Sequence, residues 1–323
     1  MPEPLPRPPR EDARALAAGL AYLATQQEPD GSFLQFKSRT RTMTERRRDA
    51  SVFATIQILH SLSGIAHPAA VGLRAKAAGF VLGRMEPVGL WRYWPGTVLP
   101  VDLDDTACAS ACLGPAHPWL LFRQNVPALL ANRNRAGLFK TWIHRDLDNV
   151  DCVVNANVVW YLGASAGTRA AMAWIRDLLV AGREADLATS YYDDPFSLFY
   201  AVSRAIAAGV HEWRPLGALM KGKVLARYLD QGGDLPSLLL AQALVTLCAA
   251  GDRTLPLTRG IASQLLHRQG SDGSWPIWPW WSDVTLSREG LATWWGSPAL
   301  TTAVCLEALT GLADATPGPG QAI

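Results

Sequence analysis

The sequence predicts an all-α protein, an (α/α)6 toroid in which six helix pairs close into a double ring. Three observations lead there. Apolar residues recur at spacings of three and four along most of the chain. Alternating strand patterns are nearly absent. A unit of helix, Gly/aromatic turn and a second, more apolar helix recurs six times.

The periodic runs are residues 15–23, 52–62, 153–162, 196–208, 238–249 and 300–312. The first unit passes through Gln27-Glu28-Pro29-Asp30-Gly31-Ser32-Phe33 into a helix near Asp49. The second passes Gly89-Leu90-Trp91 into a helix from Asp104. The third passes Gly137-Leu138-Phe139 into a helix near Asp151, and the fourth begins at Asp193-Asp194. The fifth passes Gly232-Gly233-Asp234 into Pro236-Ser237. The last passes Gln269-Gly270-Ser271-Asp272-Gly273-Ser274-Trp275 into Ser297-Pro298. No unit alone can bury its apolar face; stacking and closure can. The more apolar helices belong inside, with acidic, Ser or Pro residues at their starts as N-terminal chemistry. The expected layout is a Pro-rich disordered head at 1–10, one toroid domain at 11–314 and a flexible tail at 315–323.

Composition narrows the class. Of 323 residues, 49% are apolar and 18% charged, which excludes a disordered chain and supports a large core. The net charge of +2 gives no bias toward nucleic acid. The five cysteines lie in apolar, helix-like runs and suit buried thiols of a reducing compartment, not a disulfide set. Residues 1–10 lack the apolar core of a signal peptide, and no apolar run reaches the about 18 residues of a membrane span. The expectation is a cytoplasmic protein, with peripheral membrane contact left open.

Thirteen tryptophans are an unusual supply. Trp91, Trp94, Trp142, Trp160, Trp278, Trp280, Trp281, Trp294 and Trp295 mostly flank turns. They would either pack repeat against repeat or wall an apolar cavity. The hexapeptide Asp102-Leu103-Asp104-Asp105-Thr106-Ala107 stands at the start of an expected inner helix. A lone buried carboxyl is a weak acid; clustered carboxyls hold one proton in a directed geometry and stabilise the base it leaves. Two other readings stay open: a helix start with dipole-favoured carboxylates, and a calcium site.

Two motifs carry a resemblance. Residues 269–275 resemble the QW repeat of squalene–hopene cyclases, and residues 27–33 copy it with Phe for Trp. The acidic hexapeptide resembles the DxDDTA signature of class II terpene cyclases, which protonate an alkene or epoxide. The resemblance implies Asp104 as proton donor, with Asp102 and Asp105 tuning it and Thr106 as cap or supporting donor. It implies an isoprenoid substrate in a dry aromatic pocket. Candidate contacts are Trp91, Trp142, Trp280 and Tyr191 of the Tyr191-Tyr192-Asp193-Asp194 run. No cofactor is needed for the proton-initiated step; Mg2+ would accompany a diphosphate.

Further polar residues stand out. Asn149, Asp151, Asn155 and Asn157 form a patch in an apolar helix, where amides are poor unless they have a task. Asn155 is expected to face the lumen. Asn155 or Asn157 would bond the acid cluster or a quenching water, or else tie helices together. The basic run Lys37, Arg39, Arg41, Arg46, Arg47 and Arg48 would bind a prenyl diphosphate bidentately, or pair with Glu45 and Asp49 as a solvated loop. Arg92, Lys140 and Arg204 are further cations near turns.

The chain has length for one ring, where squalene–hopene cyclases use two helical domains. A homodimer or second subunit would complete the cavity, unless a C10–C20 isoprenoid needs no more than one ring. The alternatives are a non-catalytic isoprenoid- or partner-binding toroid and a prenyltransferase-like subunit. The latter would hold zinc through Asp102 or Asp105, Cys108 and a remote His. The six histidines form no HxxxH or HExxH spacing, and no DDxxD motif occurs.

Overall fold

Two kinds of helix build this chain, and their difference is burial. α1 (Glu11–Gln26), α3 (Pro68–Gly83), α7 (Arg169–Val180), α9 (Arg214–Asp230) and α11 (Pro256–His267) are amphipathic. In α7 the buried residues Ala171, Ile175, Leu178 and Leu179 form one stripe at helical spacing. α2 (Phe53–Ser61), α4 (Leu103–Leu113), α6 (Cys152–Leu162), α8 (Phe196–Ala207), α10 (Ser237–Ala249) and α12 (Pro298–Ala313) are buried on nearly every side. Each of these six packs against the next, and α12 packs against α2, so the inner helices form a closed circuit. α5 (Asn125–Ala131) is short and is preceded by a 3-10 turn at Pro118–Phe122. The computed structural model describes residues 11–122, 125–185, 190–192, 194–283 and 292–313. The head at 1–10, the tail at 315–323 and Asp193 lie outside the described residues. No described helix is long and apolar enough to cross a membrane.

The expected all-α (α/α)6 toroid is overturned. Among the described residues, six strands accompany the twelve α-helices, and the class is α+β. β1 (Gln35–Ser38), β2 (Arg46–Asp49), β5 (Pro279–Ser282) and β6 (Trp294–Gly296) form one antiparallel sheet in the order β2-β1-β6-β5. β3 (Val101–Asp102) pairs with β4 (Trp142–Ile143), Val101 opposite Ile143 and Asp102 opposite Trp142. Strands of two to four residues, rich in Arg and Trp, are too short for an alternating pattern to register against the helix signal. Several of them lead straight toward the starts of inner helices, so the sheets gather at one end of the circuit. The pairing of Phe36 with Gly296 and Ser38 with Trp294 joins the first unit to the last.

The turns are anchored by one recurring device. The Gln27 amide donates to Leu73 O (3.0 Å) and Gly31 O (3.1 Å); Gln269 does the same to Ala15 O (2.9 Å) and Gly273 O (3.0 Å). The aromatic at the end of each turn is held by an inner helix. Phe33, Trp91, Phe139 and Trp275 donate their backbone N–H to Thr55, Thr106, Asn155 and Thr302 at 2.9, 3.0, 2.9 and 3.2 Å. Glycine is obligatory inside the device: Gly273 sits at φ +87°, and an added Cβ would lie 2.3 Å from the Ala18 carbonyl oxygen.

Gly273→Ala is therefore expected to cost at least about 2 kcal/mol in urea unfolding. Gly260, inside α11 with open space around it, gives the opposite sign: Gly260→Ala is expected to stabilise by about 0.5–1 kcal/mol.

Candidate active site

The acids stand where β3 hands over to α4. Asp102 leaves the strand in extended conformation and caps the helix: its Oδ1 accepts from the N–H of Asp104 (2.7 Å) and Asp105 (3.2 Å). Asp151 repeats this at α6, accepting from Val153 (2.7 Å) and Val154 (3.2 Å). Its Oδ2 accepts from Ser190 N (2.6 Å) and Tyr191 N (3.1 Å), which fixes the strap before α8. Capping thus accounts for Asp102 and Asp151. It leaves Asp104 and Asp105, in the first turn of α4, to other work.

Asp104 is buried, and both its oxygens are engaged. Oδ1 accepts from the Asn157 amide at 2.6 Å and faces the Cys108 thiol at 3.7 Å. Oδ2 accepts from the Tyr192 hydroxyl. Asn157 in turn accepts from Arg204 Nη2 at 2.8 Å, and Arg204 Nη1 reaches Gln57 Oε1 at 2.7 Å. Desolvation raises the Asp104 pKa above the ordinary carboxylate value, against the Tyr192 and Asn157 hydrogen bonds and the Arg204 charge, which lower it. Asp102 is pushed up to about 8, by desolvation first and by Asp104 second. Asp105 is buried with neither oxygen hydrogen-bonded, and desolvation plus its two neighbours raise it furthest from carboxylate behaviour.

Asp104 and Asp102 line a cavity of about 220 Å³. Its walls are aromatic: Phe53, Tyr93, Trp142, Tyr191, Tyr192 and Trp281 among them. Phe53 meets Trp281 edge-on at 4.8 Å. The Tyr93 hydroxyl accepts from Gln35 (2.6 Å) and Trp281 (2.7 Å), which fixes that ring. Buried Asp49 holds the opposite rim: its Oδ2 accepts from Trp94 (3.1 Å), Trp295 (3.0 Å) and Gln35 (2.8 Å). Saturating the polar atoms of the indoles and phenols from behind leaves their faces to the void.

A second cavity, about 580 Å³, adjoins the first across Trp94, Asp283 and Trp295. It is lined by Lys37, Arg39, Arg46 and Arg47, with Glu45 and Thr293. Lys37 also pairs with Asp49 at 3.1 Å, as the solvated-loop reading expects, and Arg39 donates to Thr293 at 2.9 Å. The basic strand edge is thus the porch of the acid-bearing cavity.

The remaining candidates divide by place. Asn157, Trp142 and Tyr191 meet the acid or its cavity, with Trp142 donating to the Tyr191 hydroxyl at 2.8 Å. Asn155 does not face the lumen; it clamps Phe139 from both sides and bonds Asp151 O at 2.8 Å. Thr106 is spent on Trp91 N and on Asp102 O at 2.7 Å. Trp91 is fully buried, its indole donating to Val81 O at 2.8 Å. Trp280 is buried against Tyr200 at 5.5 Å, while its neighbour Trp281 lines the cavity. Arg41 lies over the Trp278 ring at 5.3 Å, and Arg48 is exposed on β2; neither lines the two cavities. Cys108 faces Asp104 and Asp102 caps α4, and among the described residues no group of three or more His, Cys, Asp and Glu is placed to hold a metal. Tyr93, Phe53 and the acid-bonding role of Tyr192 escape sequence reading, because partners on other units have no fixed spacing. Arg204 had a signal: one cation inside the otherwise apolar run of α8.

No protein-family model matches the sequence, and no curated protein matches it. Solved structures do. A protein from Actinoplanes is 20% identical with a TM-score of 0.71, covering 94% of this chain and 99% of that one. The type II terpene cyclase MstE from Scytonema, without ligand, is 16% identical with a TM-score of 0.72 over 94% and 99%. An arginine-to-alanine variant of MstE in complex with geranylgeranyl dihydroxybenzoate, its substrate, is 17% identical with a TM-score of 0.72 over 94% and 98%. At this identity the likeness establishes the fold: over nearly its whole length the chain is folded like a type II terpene cyclase.

Proposed function

We propose that this protein is a class II terpene cyclase-like enzyme that starts cyclisation of a linear isoprenoid by protonating an alkene from Asp104. The observation that carries the proposal is the setting of that carboxyl: buried, hydrogen-bonded on both oxygens, and open to an aromatic cavity. Tyr192 and Asn157 each occupy a lone pair. The acid proton is left to a remaining lone pair of a group that lines the void. When it passes to the alkene carbon, the two donors stabilise the carboxylate, and the faces of Phe53, Trp142 and Trp281 stabilise the carbocation. The resemblance of the acidic hexapeptide and the likeness in fold to MstE support the same reading.

The substrate on this reading is a C10–C20 prenyl chain with an anionic head, a diphosphate in the first instance. The acid cavity, about 220 Å³, is smaller than the roughly 300–1,000 Å³ usual for ligand pockets. The basic porch supplies the rest, so the reacting end lies by Asp104 and the head by Lys37, Arg39, Arg46 and Arg47. The proton-initiated step takes no cofactor. Mg2+ would enter with a diphosphate, where Glu45 and Asp283 are the oxygen donors it prefers. The MstE complex spans a chain of similar extent and holds a geranylgeranyl aryl acid. This favours a cavity that needs no second helical domain, and a carboxylate head belongs in the same trial.

The test is incubation with geranyl, farnesyl and geranylgeranyl diphosphates and a geranylgeranyl aryl carboxylate, with products read by mass spectrometry. Asp104→Asn is expected to lower cyclised product at least about 10²-fold while the chain still binds. Product that survives this change, or no product from any of the four, defeats the proposal. Arg46→Ala and Arg47→Ala are each expected to raise KM about tenfold with kcat nearly unchanged, measured with the turned-over substrate.

The raised pKa of a buried carboxyl also leaves a mark on stability. Asp105 binds its proton more tightly folded than unfolded. Its contribution is whole below the unfolded pKa near 3.8 and is lost as pH rises toward the raised folded value. Asp105→Asn is expected to flatten this fall, raising stability at pH 8 relative to pH 4 by more than about 1.4 kcal/mol, one pKa unit. Urea midpoints across that range check it.

A further inference from the structure

Arg204 is a buried guanidinium, 4% exposed, in the last turn of α8. Its hydrogen bonds go to two amide oxygens, Gln57 Oε1 at 2.7 Å and Asn157 Oδ1 at 2.8 Å. Its plane lies over Trp160 and Tyr200, 4.5 and 4.6 Å from the ring centres. None of these contacts is to a carboxylate; the buried anion that acts on it through space is Glu307 of α12. A buried charge held in this way is costly, and the expense needs a return.

The return lies one residue further on. A guanidinium only donates, so the Asn157 oxygen must face Arg204, and the Asn157 NH2 must face Asp104. The Asp104 Oδ1 contact, 2.6 Å, is thereby fixed as a donor to the carboxyl. It cannot accept the acid proton. The Tyr192 hydroxyl donates to the other oxygen. The cluster becomes unequal as a result. Asp105 has no donor at either oxygen, and Asp102 spends one on the start of α4. Asp104 alone is wired to a cation.

We propose that Arg204 is a positioning residue for the acid: through Asn157 it orients the Asp104 carboxyl and balances the negative charge left when the proton departs. This rests on the function proposed above and deepens it, since it names what sets the middle carboxyl apart from its two neighbours. Other charged and titratable groups face the same pair. Asp102, Asp105 and Cys108 lie on the acid's own segment, Asp151 at the start of α6 and Tyr192 before α8. Around Arg204 stand Tyr200, His60 of α2 and Glu307 of α12. Glu307 stabilises the Arg204 charge through space, while its Oε2 accepts from Ser61 and Tyr200 at 2.7 Å each. Loss of the Arg204 charge therefore makes Asp104 a weaker acid that keeps its proton to higher pH.

The decisive measurement is an infrared titration of the protonated carboxyl band that disappears in Asp104→Asn. It is made on the whole protein in wild type, Arg204→Met, Arg204→Lys and Asn157→Leu. Arg204→Met is expected to move the midpoint up by about one pH unit or more, and Arg204→Lys to recover part of the shift. With a turned-over substrate, kcat falls about tenfold, the alkaline limb moves the same way, and KM stays within about twofold. Packing alone would lower kcat without moving either titration. An unmoved midpoint in Arg204→Met overturns the proposal. Should that variant fail to fold, Asn157→Leu keeps the cation and cuts the link, and an unmoved midpoint there overturns it equally. The titration needs no substrate, so absence of cyclisation counts against the proposed function and leaves the role of Arg204 to be decided on its own.

Discussion

A carboxyl group buried with no cation touching it is the constraint on which this molecule turns. Water would solvate the Asp104 anion and let the group lose its proton at an ordinary carboxylate pH. The fold instead surrounds it with α4, α6 and α8, and supplies three neutral or weakly polar neighbours: an amide, a phenol and a thiol. The rest follows from holding those in place. Asp102 and Asp151 fix the starts of two helices, Asn155 and Thr106 fix the turns outside them, and Asp49 fixes the indoles across the void.

The division between caps and chemistry is one of geometry. Asp102 and Asp151 sit in the same position of successive units, in extended backbone, and each meets two helix N–H groups. Asp104 has no counterpart: Val153 stands at its place in α6. The repeat provides a scaffold, and a single departure from it provides the acid. Likewise Cys108 and Asn157 occupy matching sites of α4 and α6, five residues beyond Leu103 and Cys152. One unit contributes the acid and the neighbouring unit contributes its hydrogen-bond donor.

Much of this was legible before any coordinates. Helix content follows from periodicity, and the acidic hexapeptide marks where to look. The strands were not legible, because their pairing is decided by which turns meet at one end of the circuit, a long-range fact. The same limit applies to the site. Asn157 could be singled out as an amide in an apolar helix. Asn155 carries the same signal yet serves a turn, since side chains two positions apart on a helix point about 200° apart. Trp91 and Trp280 were indistinguishable by sequence from Trp142 and Trp281. Only the packing of neighbouring units decides which indole faces the void.

The sheet that joins β1 to β6 bears on how the protein is made. Residues 36 and 296 must meet, and the indoles of Trp94 and Trp295 share one acceptor on Asp49. A nascent chain releases the acid-bearing segment long before the last strand leaves the ribosome. Helix-to-helix contacts between neighbouring units can form on the way, as local contacts do quickly. The aromatic roof cannot. Its assembly waits for β1 and β6 to find each other, so the aromatic cavity is the last part of this fold to close.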